Sequence, residues 1–306
     1  FYDSLLQDQR SLTENVYFNN KVTEKALEII KQNETKNIVI ESGEWEGLGS
    51  DLFNILDKQN IAKVVRLHTP LATCIKQNNL ELSAANNYQL LVENQIIRCA
   101  DLISACTEHV KKMLIRDVIG EKDPLIKKIQ VIPNPIDISH FYPQTSERNK
   151  AIKGINKIVG REFLTKDTCN IFILGSVEMR KGVDIVINSV VDSLNNNPNL
   201  RFCFIGHCGD DKDKSLNANT KLSPRELLKL IPKKYHRSVE FTDYVPHSKL
   251  PLFIQAGDIF PVMSIGDNFP GTVAEISLSA KPIIFLVRGG VKEMLTNKNG
   301  RIIAPH

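Results

Sequence analysis

Two acidic residues, Asp267 and Glu275, stand eight positions apart across a loop and the start of a predicted helix. Ionised carboxylates are strong hydrogen-bond acceptors, and the vicinal hydroxyls of a sugar or a ribose need such acceptors. The pair is therefore suited to bind one ligand from adjacent sides. Two structural interpretations compete with this one. Gly266-Asp267-Asn268 has the residues of a turn, and Thr272 with Glu275 fits a capping box; the spacing alone leaves all three open.

Two successions of strand, loop and helix offer a place for phosphate. One follows a strand pattern at 170–174 and runs through Gly175 to Arg180-Lys181-Gly182, and the other leads from a strand pattern at 259–262 to Gly271. Helix N-termini present unpaired N–H groups and partial positive charge, which suit phosphate. Cations at a helix start are disfavoured by about 0.3–1 kcal/mol, so two of them favour an anionic ligand over a merely solvated pair. Neither a Walker motif nor a G-x-G-x-x-G fingerprint is present.

Further polar residues follow two predicted strands of the N-terminal half. His68 comes directly after the strand pattern at 62–67, at the edge where open α/β sheets bind ligands. A purely structural histidine is the alternative interpretation. Another strand end carries the residues expected of an acceptor pocket, which are Glu41, Glu44, Trp45 and Glu46.

The elements that must position these residues alternate in type along the chain. Short runs of β-branched and apolar residues, typical of strands covered on both faces, alternate with amphipathic segments. Residues 181–194 place their apolar side chains on one helical stripe, and 92–99 and 109–115 have the same pattern. Strand–helix alternation indicates an α/β fold with parallel sheets. The predicted strands are 37–41, 62–67, 102–105, 129–132, 170–174, 201–205, 238–241, 259–262 and 282–286.

One boundary divides this series. Pro133-Asn134-Pro135 stops a strand pattern and stiffens the exit from it. The following stretch is polar and weakly periodic, and a new strand–helix series begins at Asn170. A length of 306 residues accommodates about two domains. The sequence thus predicts an N-terminal domain over 1–137, a linker region over 138–168 and a C-terminal domain over 169–306.

Composition bounds the class of protein. With 42% hydrophobic residues, 24% charged residues and a net charge of +4, the chain has the composition of an ordinary soluble globular protein. Nucleic-acid binding usually needs a more clustered basic signature, whereas a mildly basic balance suits anionic substrates or peripheral contact with an anionic membrane. No apolar stretch approaches the ~18–20 residues of a membrane span, and no signal-peptide pattern is present, so a cytoplasmic location is expected. The six cysteines contain no C-x-x-C pair, which favours free thiols over a zinc site.

Several segments, taken in order, resemble the family 4 retaining glycosyltransferases of the GT-B fold. Residues 131–137 and 141–143 are similar to that family's interdomain signature, and residues 174–184 are similar to its G-R-x-x-x-x-K-G donor-phosphate loop. Residues 267–275 are similar to its E-x7-E motif, in the variant D-N-x-P-x-T-x-x-E. The resemblance covers 129–306 and extends more faintly from 38. It implies two Rossmann-like domains with parallel sheets.

The resemblance also implies roles for individual residues. Lys181 is expected to contact the diphosphate of a nucleotide-sugar donor, Glu275 the ribose, and Asp267 the donor sugar, while His68 faces the sugar and the reaction centre. Asp267, His68 and Lys181 form the implied catalytic set. No metal or other cofactor is required, and the acceptor is a sugar, a lipid-linked glycan or a protein. The implied donor-binding residues are Gly175, Arg180, Lys181, Asn268, Phe269, Pro270, Gly271, Thr272 and Glu275.

Three departures qualify the expected function, which is sugar transfer with retention in polysaccharide or glycoconjugate synthesis. Ser176 stands where the family has a phosphate-binding arginine, which Arg180 could replace, and Asp267 is one methylene shorter than the usual glutamate. The first strand and glycine-rich loop of the family, and its closing helix, are expected to be missing, which suggests part of a longer protein. Two alternatives remain: a catalytically silent binding or assembly subunit, and a GT-B epimerase or hydrolase.

Overall fold

The computed structural model describes residues 2–33, 37–56, 61–78, 82–143, 147–209, 222–295 and 300–303, without the side chains of 2–11 and 300–303. Its Cα positions divide into two compact units, Phe1–Asn134 and Pro135–His306. The division falls within the Pro133-Asn134-Pro135 segment. Each unit has its own parallel sheet.

The first unit carries a parallel sheet in the order β1-β2-β3-β4 among its described residues. Buried apolar residues alternate along β2, where Val65 and Leu67 are fully covered. Because the strands are parallel, their carboxyl ends meet at one edge of the sheet, where the loops after β1 and β2 begin. The elements are α1 (Tyr2–Lys31), β1 (Val39–Gly43), α2 (Ser50–Ile55), β2 (Ala62–Leu67), α3 (Leu71–Asn78), α4 (Ala84–Cys99), β3 (Leu102–Ala105), α5 (Glu108–Leu114) and β4 (Ile129–Val131).

Helix α1 precedes the first strand of this unit and was not predicted. It packs against α2 and α4. Its buried Asn19 donates to Ser50 Oγ at 3.0 Å and accepts from Gly49 N–H at 2.8 Å, so it ties α1 to the start of α2. The helix is largely polar, which explains why apolar periodicity did not reveal it.

The second unit continues the alternation of strands and helices. Its elements are α6 (Arg148–Val159), β5 (Cys169–Leu174), α7 (Val183–Asn196), β6 (Leu200–Ile205), α8 (Pro224–Lys229), β7 (Val239–Phe241), α9 (Leu250–Ala256), β8 (Phe260–Val262), α10 (Gly271–Leu278), β9 (Ile283–Leu286), α11 (Val291–Met294) and β10 (Gly300–Ile303). Strand β10 was not predicted.

The strands of the second unit form two parallel ladders, β7-β6-β5 and β8-β9-β10, in the part of the chain that the structure describes. A parallel bridge between Ile171 and Ile259 joins β5 to β8. The chain therefore leaves β5 towards β6 and β7, then returns to the opposite side of β5 to form β8. The gap between the carboxyl ends of β5 and β8 is a topological switch point, the usual place for a ligand crevice.

Apolar clusters cover this sheet. Helix α7 contributes the predicted stripe, of which Val183, Val186, Ile187, Val190 and Leu194 are buried. Helix α6 falls within the region predicted as a linker, and its buried Ala151, Ile152 and Ile155 pack in a cluster with residues of α9. Residues 148–159 are thus an ordered part of the second unit.

Two general features complete the fold. None of the six cysteines forms a disulfide, and Cys106 and Cys203 are buried. Within the described residues, no helix combines the length and the apolar character needed to cross a bilayer. The expected α/β class with parallel sheets is confirmed.

Candidate functional site

Two loops of the second unit converge on the carboxylate of Asp267. Lys181 Nζ lies 2.9 Å from Asp267 Oδ1 and 2.8 Å from Oδ2. The Arg180 guanidinium lies 3.0 Å from Asp267 Oδ1 and donates to Glu178 Oε1 at 2.7 Å. Arg180 and Lys181 belong to a short 3-10 turn after β5, and Asp267 lies in the loop after β8. The cluster therefore stands at the switch point of the sheet.

The anion that faces the two cations is thus an acidic residue of the protein itself. Asp267 is only 13% exposed and Lys181 is 23% exposed. Burial alone disfavours the charged form of Asp267, but Lys181, a hydrogen bond from Ser264 and the charge of Arg180 outweigh it and lower the pKa of Asp267. The carboxylate is therefore ionised at neutral pH, and the cluster holds two positive charges against two buried negative ones, Asp267 and Glu178.

Glycines allow these loops to approach each other. Gly182 has φ +70°, and a Cβ there would lie 2.2 Å from the carbonyl oxygen of Met263. Gly289 has φ +60°, and a Cβ there would lie 2.3 Å from the carbonyl oxygen of Asp267. That same oxygen accepts from Gly290 N–H at 2.8 Å. The loop that carries Asp267 is thus held by backbone contacts that a side chain at either glycine would disrupt.

Glu275 lies in α10, where it is nearly covered. Its Oε1 is 2.7 Å from His247 Nε2, and its side chain is 9% exposed. Its Oε2 is buried with no hydrogen-bond partner. The cap of α10 is Pro270, with no side-chain cap bond, so the capping-box interpretation of Thr272 and Glu275 is wrong. A buried carboxylate oxygen that lacks a donor is costly unless something else supplies one.

The remaining donor-site candidates lie on the same two loops. Gly175 follows β5 with φ +129°, and a Cβ there would be 3.8 Å from Lys181 Cε. The loop between β8 and α10 is half-buried over 267–272, where it leads into the first turn of α10. This loop carries the other candidates, Asn268, Phe269, Pro270, Gly271 and Thr272.

His68 belongs to the first unit, at the carboxyl end of β2, as predicted from its position in the sequence. Its side chain is 58% exposed, and its Nδ1 lies 3.3 Å from Oε2 of the fully buried Glu44. That hydrogen bond, and the negative charge behind it, raise the pKa of His68 against the effect of burial. Glu44 therefore supports the histidine, while the acceptor pocket predicted from its position after β1 stays a prediction.

Sequence reasoning did not single out two residues that touch the site. Glu178 is a buried partner of Arg180, and its place two residues before that cation was the available signal. His247 contacts Glu275 although the two lie 28 positions apart in the sequence, and no local pattern indicates this contact. Among the described residues, no group of three or more histidine, cysteine, aspartate or glutamate side chains is arranged to hold a metal ion.

Comparison with protein families identifies the second unit. Residues 168–306 match the family model described as "Glycosyl transferases group 1". The match covers β5 to β10 and so contains Lys181, Asp267 and Glu275. A search of curated proteins found no match to the sequence.

Solved structures match the fold over most of the chain. HepE from Anabaena, in complex with UDP, matches with a TM-score of 0.65 at 18% identity, covering 91% of this chain and 68% of that one. Sucrose-phosphate synthase from Thermosynechococcus elongatus matches with a TM-score of 0.63 at 20% identity, covering 94% and 67%. The catalytic domain of starch synthase IV from Arabidopsis thaliana, bound to ADP and acarbose, matches with a TM-score of 0.62 at 15% identity, covering 92% and 65%.

These likenesses show the fold, and the chain spans about two thirds of the length of each of these proteins, between 65% and 68%. Residues 168–306 are thus similar to group 1 glycosyltransferases, and the fold of the chain is similar to that of the solved structures named above.

Proposed function

We propose that the chain transfers a hexosyl group from a nucleotide-diphosphate sugar to an acceptor, with retention of configuration, in the synthesis of a polysaccharide or glycoconjugate. The observation that carries the proposal is the cluster of Arg180, Lys181 and Asp267 at the switch point of the second unit. Two cations held half-buried in a ligand crevice are placed to meet a doubly charged group such as a diphosphate.

The cations have a chemical role in this proposal. When the bond between the sugar and the β-phosphate breaks, negative charge develops on the departing diphosphate. Lys181 and Arg180 already stand fixed by Asp267 and Glu178, so stabilising that charge requires little reorganisation. Side chains alone can then supply the positive charge, and we propose that no metal ion or other cofactor is needed.

Glu275 supplies the second part of the donor site. Its buried Oε2 lacks a hydrogen-bond donor, and a ribose hydroxyl would provide one. Asp267, with the backbone of residues 268–271, is proposed to hold the donor sugar. The Anabaena HepE and Arabidopsis starch synthase IV structures contain UDP and ADP respectively, which supports a nucleoside diphosphate as the ligand of this fold.

The first unit completes the proposal on the acceptor side. His68 is proposed to face the donor sugar and the reacting atoms, with a sugar, a lipid-linked glycan or a protein as acceptor. We propose a cytoplasmic location with peripheral contact at a membrane surface, where lipid-linked acceptors lie. The proposed domain organisation is 1–137, a linker region over 138–168 and 169–306, in which the linker region contains α6 and packs on α9 of the second unit.

A panel of nucleoside diphosphates tests the donor site. We expect UDP, GDP or ADP to raise the melting temperature of the full chain, and Glu275→Ala to abolish the increase because the ribose acceptor is lost. Glu162→Ala is the matched control, since Glu162 is an exposed glutamate of the same unit. Melting temperatures that stay unchanged with all three nucleotides would contradict the proposal. Anomeric analysis of the glycosylated product then tests retention.

A second candidate function rests on Ser176. This half-buried serine stands in the loop after β5, where the resembled family has an arginine. A silent binding or assembly subunit would bind nucleotide weakly or not at all and would transfer no sugar. Nucleotide release without an acceptor would instead indicate a hydrolase or epimerase. Incubation with a nucleotide-diphosphate sugar, with and without an acceptor, therefore distinguishes the three functions by the product that forms.

A further inference from the structure

A fully buried carboxylate stands behind His68 in the first unit. Glu44 lies after β1, and its side chain has no exposed surface. Its Oε1 accepts from two backbone N–H groups, those of His68 and Thr69, each at 2.6 Å. Its Oε2 lies 3.3 Å from His68 Nδ1. The two oxygens therefore have separate tasks: one anchors the loop backbone and the other faces the imidazole ring.

The loop that carries His68 is held at its other end by a second buried carboxyl group. Glu93, on α4, lies 2.9 Å and 3.2 Å from Leu71 N–H through its two oxygens. Residues 68–71 are thus clamped between two buried acids. Such anchoring restricts the position of the His68 ring, although more than half of its side chain is exposed.

We infer that Glu44 is a positioning residue for His68, which fixes the ring and places the proton of the neutral imidazole on Nδ1, where it is donated to the carboxylate. This inference rests on the proposed function in assigning His68 to the reacting sugar. A neutral imidazole has one donor and one acceptor nitrogen, and the hydrogen bond at one nitrogen decides the role of the other. With the proton on Nδ1, Nε2 is the acceptor nitrogen of the neutral ring.

One substitution separates the two tasks of Glu44. In Glu44→Gln, the amide oxygen can replace Oε1 and keep both backbone N–H bonds. The amide nitrogen then replaces Oε2 and offers N–H to His68 Nδ1, which must become the acceptor. The proton of the neutral ring moves to Nε2, so the variant reverses the tautomer while it preserves the loop.

Nitrogen NMR of the imidazole tests the inference on the full chain without any assay of activity. The His68 resonances are identified by their loss in His68→Gln. At a pH above the titration of His68, where the ring is neutral, we expect the proton on Nδ1 in the native protein and on Nε2 in Glu44→Gln. We also expect a lower pKa of His68 in Glu44→Gln. Glu121→Gln, at an exposed glutamate of the same unit, is the control and should change neither. An unchanged tautomer and titration in Glu44→Gln would overturn the inference, provided the melting temperature shows the variant folded.

Steady-state kinetics supplies a second test, because a purely structural role of Glu44 would not lower kcat while KM stays unchanged. We expect Glu44→Gln to lower kcat at least about tenfold, with the KM for the nucleotide sugar nearly unchanged because the proposed donor residues lie in the other unit. A wild-type chain that transfers no sugar contradicts the proposed function, while the NMR result still decides whether Glu44 sets the tautomer. A kcat equal to that of Glu121→Gln, in an active enzyme, would count against the positioning role.

Discussion

At the scale of single residues, the proposed donor site of the second unit contains a cluster of paired charges. Asp267 is a buried anion whose ionisation depends on Lys181 and, less directly, on Arg180. Such an arrangement keeps two long cationic side chains in one place before a ligand arrives. The entropy of ordering them is lost during folding, so binding of a diphosphate does not have to supply it.

Removal of one cation should therefore affect both folding and binding. We expect Lys181→Met to destabilise the second unit by about 1–3 kcal/mol, because Asp267 stays buried with one charged partner fewer. The same variant should weaken nucleoside-diphosphate binding, as measured by calorimetric titration, while urea denaturation gives the stability. Lys153→Met is the control, since Lys153 is an exposed lysine on α6. Equal stability and equal affinity in the two variants would argue against the role of the cluster.

At the scale of elements, two buried acids of the first unit, Glu44 and Glu93, accept hydrogen bonds from the backbone between β2 and α3. Glu93 of α4 accepts from Leu71 N–H at the start of α3. Burial, together with the nearby charge of Glu44, raises the pKa of Glu93 to about 8, although the Leu71 N–H opposes the shift. The acid is therefore protonated in the folded protein at neutral pH and ionised in the unfolded chain.

This difference makes stability depend on pH with a definite sign. Between its ordinary pKa of 4.5 and its folded pKa of about 8, the folded state binds more protons at Glu93 than the unfolded state does. The contribution of Glu93 to stability is therefore full below pH 4.5 and is lost as the pH rises through that window. We expect the free energy of unfolding of Glu93→Gln to lack this decrease with rising pH, as measured by urea denaturation at a series of pH values. Glu121→Gln, an exposed control in the same unit, should retain the native slope.

At the scale of the whole molecule, the proposed donor-site residues, among them Lys181, Asp267 and Glu275, belong to one compact unit. That unit has its own buried apolar clusters on its own sheet. The family match also falls entirely within it. Folding of this unit and formation of the donor site are thus expected to be local properties of residues 135–306.

Expression of residues 135–306 alone tests this expectation. We expect the fragment to unfold cooperatively and to show the same increase in melting temperature with nucleoside diphosphate as the full chain. The Glu275→Ala fragment serves as the binding-deficient control. A fragment that lacks secondary structure by circular dichroism would show that the second unit depends on the first for its stability.

The sequence by itself determined the local elements. The predicted strands at 62–67 and 102–105 match β2 and β3 residue for residue, because runs of β-branched apolar residues are recognisable without knowledge of their neighbours. The stripe on α7 was predicted for the same reason. The stretch 267–275 and the pair Arg180-Lys181 were identified as candidates because motif spacing is also a local property.

The tertiary structure alone decided which of these residues meet. Lys181 and Asp267 are 86 residues apart, and their ion pair exists because β5 and β8 become neighbours at a switch point. Likewise Glu275 contacts His247, where the sequence had allowed a bond to Thr272, and Glu44 supports His68 from a different strand end. Periodicity and spacing record the preferences of short segments, whereas these partners depend on strand order and on the burial it creates, which only the folded chain defines.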